Sequence, residues 1–336
     1  MTKLDFFNVD EKEQTELLKA FEGGKTFELT FHQKSLDEHT ATIAENAEGV
    51  GISIQSQITR EVLNLLPMVK IISTMSTGFD HIDLEACKAR NITVCNVPAY
   101  GDNTVAEYAF GLVIALARKL KPTFERVDRG VFSRTGLMGM DIKGKTLGLV
   151  GTGRIGFHMA KLGWAFGMKV IAYDLRPNAT LVEDFGVTFM SLEAVLQQAD
   201  VISLHVPYLP STHHLINAER LRLLKPTALL INTARGKVID TEAVSTALRE
   251  GRLGGVALDT FEGEEIWLEE EFLKRDDLAA IALREAMESF SIMRSEHAII
   301  TPHNAFNTWE ALERILTTSA ENFKAYFSGH PQNLVV

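Results

Sequence analysis

Gly151-Thr152-Gly153-Arg154-Ile155-Gly156 directly follows the apolar run Thr146-Leu147-Gly148-Leu149-Val150 and opens the helix-forming stretch Phe157 to Phe166. No other feature restricts the possible folds as much, because strand, glycine turn and helix in that order build a dinucleotide-binding unit. The first glycine permits a tight turn, the second lets backbone approach a pyrophosphate, and the third lets helix and strand pack closely. The helix start, at Arg154 and Ile155, adds free N–H groups and a partial positive charge for the phosphates. Asp174 ends the next strand, Val170-Ile171-Ala172-Tyr173, where an acid accepts hydrogen bonds from the adenosine ribose. A carboxylate there repels a 2′-phosphate, so NAD is favoured over NADP, with Arg176 two residues later able to soften the preference.

The rest of the chain repeats this grammar. Phe27 to Phe31, Val50 to Ile54, Lys70 to Ser73 and Thr93 to Cys95 read as buried strands alternating with helical stretches. A second series runs through Thr146 to Val150, Lys169 to Tyr173, Val201 to Leu204, Ala228 to Ile231 and Gly255 to Leu258. The fold class is therefore α/β, with two parallel-sheet units. Between them, Asn103 to Leu120 is apolar on every face (Val105, Tyr108, Phe110, Leu112, Ile114, Leu116), as in a helix buried on all sides. A membrane span is the competing reading, but Glu107 interrupts it and the run is short of about 20 residues. After the strand Ala298 to Ile300, a helical pattern from Thr308 to Phe327 is expected to return to the first unit.

With 336 residues, 46% of them hydrophobic, the chain can bury a sizeable core. A formal net charge of -10 argues against a general role on nucleic-acid phosphates or anionic membranes, although one anionic metabolite needs only a local cation. Cys87 and Cys95 have neither the number for a disulfide scaffold nor the spacing of a zinc site, and read as buried thiols; no metal is expected. The start, with Asp10-Glu11-Lys12-Glu13 in place of an apolar run, does not look like a signal peptide, so a cytoplasmic location is expected.

Several further motifs occur in order: Ser76-Thr77-Gly78-Phe79-Asp80-His81-Ile82-Asp83, Asn96-Val97-Pro98-Ala99-Tyr100 followed by Thr104-Val105-Ala106-Glu107, Leu204-His205-Val206-Pro207, Ile231-Asn232-Thr233-Ala234-Arg235-Gly236, the run Ala257-Leu258-Asp259-Thr260-Phe261-Glu262-Gly263-Glu264, and Thr301-Pro302-His303. Together they resemble the D-2-hydroxyacid dehydrogenase family over nearly the whole chain. Tyr100 and the long stretch between Glu264 and His303 resemble its D-lactate dehydrogenase branch. The resemblance implies two Rossmann-like doubly wound domains with parallel sheets and a cleft between them. Residues 1–100 and 304–336 would form the substrate domain and 101–303 the NAD domain, in a homodimer formed through the NAD domain near Val105 to Leu120. Contacts to NAD are implied for Gly151, Gly153, Arg154, Ile155, Gly156, Asp174, His205, Val206, Pro207, Thr212, Thr233, Ala234 and Asp259.

The chemistry the family carries out, interconversion of a 2-oxo acid and a D-2-hydroxy acid, needs a cation for the carboxylate and a proton donor for the carbonyl. Arg235 offers a planar charged fork that can hold a carboxylate bidentately; by resemblance it is the substrate-binding arginine. His303 can give and take a proton near neutral pH. It follows Pro302 at a strand end, where α/β sheets present ligands. Glu264 would accept a hydrogen bond from the other imidazole nitrogen and favour the protonated ring, with Glu262 as rival and Asp259 adding to the field. The amides of Thr77 and Gly78 and the hydroxyl of Tyr100 resemble further substrate contacts.

Of the other histidines, His32, His39, His158 and His330 are expected at the solvent surface, while His81 and His205 shape loops. Where the family often has proline after its glutamate, this chain has Glu265. The acidic stretch Trp267 to Arg294 carries an apolar stripe (Leu268, Phe272, Leu278, Ile281, Leu283, Met287) suited to packing on its own domain, or to a lid or oligomer contact. The substrate that fits best is pyruvate, giving D-lactate. Glyoxylate, hydroxypyruvate, phosphoglycerate and branched or aromatic 2-oxo acids stay open, as does an NAD-sensing binding module similar to the family's corepressors. Formate dehydrogenases of the superfamily have glutamine where Glu264 stands, which argues against them.

Overall fold

The computed structural model describes residues 1–22, 27–264 and 288–336, and the chain divides into two compact units. Unit 1 comprises Met1–Tyr100 and Asn307–Val336, and unit 2 comprises Gly101–Phe306.

Unit 1 contains β1 (Thr2–Phe7), α1 (Glu11–Phe21), β2 (Phe27–His32), β3 (Gly49–Ile52), α2 (Arg60–Asn64), β4 (Ile71–Thr74), α3 (Leu84–Ala89) and β5 (Thr93–Cys95). The strands pair in parallel in the order β2-β1-β3-β4-β5. β1 interrupts its apolar residues with Lys3 and Asp5 and falls outside the apolar runs read from the sequence, yet it pairs with strands on both sides. Apolar side chains cover both sheet faces. Leu4, Phe6, Leu17, Leu316 and Phe323 lie in one buried cluster, and Phe7, Val50, Ile52, Ile72 and Val94 in another. Each such side chain, removed from water, contributes about 1.5–3 kcal/mol. Local signals start the helices, among them a reciprocal capping box between Asp10 and Glu13 at α1 and side-chain caps from Thr59 and Asp83.

Unit 2 runs through α4 (Asp102–Ala117), α5 (Leu120–Asp128), β6 (Thr146–Val150), α6 (Arg154–Ala165), β7 (Lys169–Tyr173), α7 (Ala179–Phe185), β8 (Thr188–Phe189), α8 (Leu192–Gln198), β9 (Val201–Leu204), α9 (Ala218–Leu221), β10 (Leu229–Asn232), α10 (Thr241–Arg249), β11 (Gly255–Leu258) and β12 (Ala298–Ile300). Its parallel sheet has the order β12-β11-β10-β9-β6-β7-β8. Strand order reverses at β6, so the crevice at the carboxyl ends of β6 and β9 is the topological switch point at which such sheets bind ligands. The tail then returns to unit 1 as α11 (Trp309–Phe327), N-capped by Thr308.

Two expectations need correction. α4 is not buried on all sides within the chain: Glu107 and Gly111 are exposed and Tyr108, Ile114, Ala115 and Leu116 only half-buried, while Lys119 in the left-handed region separates it from α5. His32 is not at the solvent surface. Its ring stacks on Phe7 and its Nε2 lies 2.6 Å from Asp5 Oδ1, because consecutive same-face residues on adjacent strands meet. His158 is half-buried on α6, while His39 and His330 are exposed. Cys87 and Cys95 are buried, and burial pushes both thiols up to about 11, so neither is a reactive thiolate at neutral pH. Among the described residues no helix is long and apolar enough to cross a membrane, and no group of three or more His, Cys, Asp or Glu is placed to hold a metal. Most of the Trp267 to Arg294 stretch, with its apolar stripe and Glu265, lies outside the described residues.

Candidate active site

The cofactor crevice is built by glycines that nothing larger can replace. Gly151 has φ +93°, and a Cβ there would strike the His205 carbonyl; a Cβ on Gly156 would strike the carbonyl of Gly151. Gly153 is different. A Cβ there would meet nothing within 4 Å, so the protein's own packing gives no reason for glycine at the start of α6. A ligand lying against that backbone does, and the free N–H groups of the helix suit a pyrophosphate. Thr233 Oγ1, buried just after β10, has no hydrogen-bond partner among the described residues, which suits a polar ligand group. The residues present therefore fit NAD.

Asp174 stands at the end of β7, hydrogen-bonded to the glycine turn. Its Oδ2 accepts from the Thr152 amide at 2.6 Å and hydroxyl at 2.8 Å, and Oδ1 accepts from the Arg176 amide at 2.8 Å. Burial alone would raise this carboxyl, but the hydrogen bonds outweigh it and hold it below the usual carboxylate range. A fixed negative charge there should reject a 2′-phosphate. We expect Asp174→Ser to narrow the NADH over NADPH preference by about tenfold, roughly 1.4 kcal/mol, read as the ratio of kcat/KM values. Equal use of both cofactors by the unaltered protein would reject this placement of Asp174.

His205 directly follows β9, and its Nε2 meets Ser203 Oγ at 2.9 Å. Burial pushes it down to about 4, so the ring is neutral at physiological pH and serves the loop. Val206 and Pro207 continue that loop. Thr212 Oγ1 closes it by donating to the Pro207 carbonyl at 2.7 Å and accepting from the Leu209 amide at 2.7 Å.

Arg235, Glu264 and His303 stand in the segments that follow β10, β11 and β12. Arg235 follows β10 with extended backbone (φ −144°, ψ 144°), and its carbonyl accepts from Asn232 Nδ2 at 3.0 Å. Its Nη1 donates to the Ala234 carbonyl at 2.7 Å. Gly236 then presses against Phe261 and Glu262 so closely that any Cβ would collide, which locks this turn against the loop after β11. That loop carries Glu264, whose Oε1 lies 3.4 Å from His303 Nδ1. The rival, Glu262, is engaged elsewhere: Oε1 is 2.7 Å from His214 Nε2 and Oε2 accepts from the Thr241 amide at 3.1 Å.

His303 itself sits at φ +52°, a conformation that non-glycine residues adopt only when their surroundings impose it. Asp259 imposes it. Fully buried, its backbone carbonyl accepts from the His303 amide at 3.0 Å, while Oδ1 takes the Thr301 hydroxyl at 2.5 Å and the Asn304 amide at 2.8 Å, and Oδ2 the Ala305 amide at 2.9 Å. Asp259 thus holds the histidine loop. Sequence reasoning placed Thr301 in a motif without a role and missed Asn304 and Lys121, whose ammonium donates to the carbonyls of Met293, Ser295 and Ala298 and so fixes the approach to β12. No motif flags contacts of this kind, because they join groups distant in sequence: Thr301 and Asn304 meet the Asp259 carboxylate and Lys121 meets three backbone carbonyls.

Thr77, Gly78 and Tyr100 belong to unit 1. Thr77 and Gly78 follow β4, and Tyr100 follows β5.

Residues 110–305 match the family model described as "D-isomer specific 2-hydroxyacid dehydrogenase, NAD binding domain". The chain is 36% identical over 329 residues to a 2-hydroxyacid dehydrogenase homolog of Schizosaccharomyces pombe, covering 97% of this chain and 96% of the relative. It is 37% identical over 283 residues to a glyoxylate reductase of Thermofilum pendens, covering 82% and 77%. A solved D-lactate dehydrogenase from Aquifex aeolicus, complexed with NAD and lactic acid, superposes with a TM-score of 0.88 at 35% identity, covering 99% of each chain. Two parallel-stranded sheets, a cofactor turn at the switch point and an Arg–Glu–His set at neighbouring strand ends accord with these matches, and the chain belongs to the D-2-hydroxyacid dehydrogenase family.

Proposed function

We propose that this NAD-dependent oxidoreductase reduces pyruvate to D-lactate, with His303 as proton donor, Glu264 as its orienting partner and Arg235 as the carboxylate clamp. The observation that carries this reading is the His303–Glu264 pair at 3.4 Å, in the same unit as a cofactor turn that fits NAD. With Glu264 at Nδ1, Nε2 is left to give the carbonyl oxygen its proton. Arg235 takes the carboxylate and polarises the neighbouring carbonyl; NAD, as NADH, supplies the hydride. The amides of Thr77 and Gly78 and the hydroxyl of Tyr100 add hydrogen bonds to the substrate. Residues 1–100 and 304–336 would then be the substrate domain and residues 101–303 the cofactor domain. Val206, Pro207 and Ala234 would contribute backbone and apolar contacts to the cofactor.

The test is NADH oxidation with a panel of 2-oxo acids, followed by chiral analysis of the product. The highest kcat/KM should be for pyruvate and the product should be the D-acid. Faster turnover of glyoxylate or hydroxypyruvate would move the substrate, and an L-product would reject the assignment altogether.

We further propose a homodimer through unit 2. Phe132 and Met138 are 87% and 88% exposed, and the half-buried stripe of α4 is also open to a partner. Light scattering at a monomer mass would refute it. A cytoplasmic location, where NADH and 2-oxo acids are both available, completes the reading and is tested by cell fractionation.

A further inference from the structure

The loop after β4 is tied by a set of polar bonds that the reaction chemistry leaves unexplained. Asn96 Nδ2 donates to the Thr77 carbonyl at 2.9 Å. That carbonyl belongs to the same planar peptide as the Gly78 amide, and in a trans peptide the two point in opposite directions. Holding the Thr77 oxygen therefore aims the Gly78 N–H, and polarising that oxygen strengthens the N–H as a donor. The neighbouring bonds leave the peptide little freedom. Ser76 Oγ donates to the Gly78 carbonyl at 2.6 Å, Thr77 Oγ1 to the Val97 carbonyl at 2.7 Å, and the Val97 amide to the Ser76 carbonyl at 2.9 Å. On the far side, Thr74 Oγ1 lies 2.7 Å from Ser76 Oγ and 3.2 Å from His81 Nε2, which gives His81 its place in the loop.

Asn96 is itself held from behind. Its amide donates to the Asn333 carbonyl at 3.1 Å and its carbonyl accepts from Asn322 Nδ2 at 2.9 Å. Asn322, fully buried on α11, also contacts Ser73 Oγ at 3.3 Å, and its Oδ1 accepts from Asn333 Nδ2 at 2.8 Å. The segment carrying Asn333 runs antiparallel to β5, with Cys95 opposite Leu334. Asn322 is the buried member of this chain and its side-chain amide is spent on Ser73, Asn96 and Asn333, so its burial fixes the geometry of the half-buried Asn96 and Asn333.

We propose that Asn96 is a positioning residue for substrate binding: it fixes the Thr77–Gly78 peptide so that the Gly78 N–H faces the substrate carboxylate, with Asn322 and Asn333 holding Asn96 in place. The inference rests on the reading that the Thr77 and Gly78 amides bind that carboxylate. Asn96→Leu removes the donor at similar volume. KM for pyruvate should rise about 5- to 10-fold, the worth of one lost hydrogen bond to a peptide group, with a smaller fall in kcat and no change in NADH affinity. Because Asn96→Leu can also disturb folding, Asn333→Ala is made alongside; it loosens the support one bond further away and should raise KM about 2- to 3-fold. A role in stability alone would lower the melting temperature of both variants and leave KM unmoved. Hydrogen exchange of residues 75–79 in the unaltered enzyme, with NADH and with or without oxamate, an unreactive isostere of pyruvate, tests the underlying reading. Protection by oxamate together with raised KM supports the proposal. Protection with unchanged KM in the folded variants overturns the role of Asn96 alone, and absence of protection overturns the carboxylate reading and the proposal with it.

Discussion

Replacing His303 with alanine should lower kcat for 2-oxo acid reduction by about 10²- to 10⁴-fold, the usual worth of a positioned general acid, while NADH still binds. The ring combines a carboxylate partner at 3.4 Å with a backbone held at φ +52° by its neighbours. Reduction consumes a proton and oxidation releases one, so reduction should fade as pH rises and 2-hydroxy acid oxidation should grow. Glu264→Gln keeps the shape but removes the charged acceptor at Nδ1, so kcat for reduction should fall by about tenfold with NADH binding unchanged. His205 provides the control. With its ring pushed down to about 4 by burial, it is neutral throughout this range, and His205→Asn should leave the alkaline limb where it was. Kinetics across pH 5 to 9 for the three variants decide the matter. A His303→Ala enzyme that keeps both its rate and its pH dependence would remove the histidine from the mechanism.

Much of unit 2 was legible because its constraints are local. Gly151 needs φ +93° in its own turn and a Cβ on Gly156 would strike the carbonyl of Gly151, while a strand such as Val201–Leu204 is apolar on both faces because helices cover both sides of a parallel sheet. β1 was not legible. Thr2–Phe7 carries Lys3 and Asp5 among its apolar residues, and what makes it a strand is pairing with β2 and β3, which lie later in the chain. β8, with two residues, is shorter than any periodicity can register. The resemblance favoured Glu264 over Glu262, but the physical difference between them lay beyond sequence, because it depends on two histidines brought in from elsewhere: His214 meets Glu262 and His303 meets Glu264. Asp259 was visible as an acid in a motif, but its work is on amides and a hydroxyl of the His303 loop, and such partners leave no pattern in the residues themselves.

Arg235→Lys should be the instructive failure, because it keeps the charge and loses the fork. A guanidinium can meet both oxygens of a carboxylate in one plane, which binds the substrate and also fixes the direction of its carbonyl; an ammonium meets it as a point. Losing one charge-assisted bond and the orientation that goes with it should lower kcat/KM about 10²-fold, with KM raised and kcat reduced together. The structure gives the arginine little room to compensate. Its carbonyl is held by Asn232, and Gly236 beside it is wedged against Phe261, so the stem leaves the backbone in a fixed direction. Arg235→Ala should be worse still, and added guanidinium should recover part of its activity where added methylamine, of equal charge, does not. Equal rescue by both cations would mean that charge alone suffices. An Arg235→Lys enzyme within about threefold of the parent in kcat/KM, a difference of only ~0.6 kcal/mol, would transfer carboxylate recognition to other groups, with the amides of Thr77 and Gly78 the first to examine.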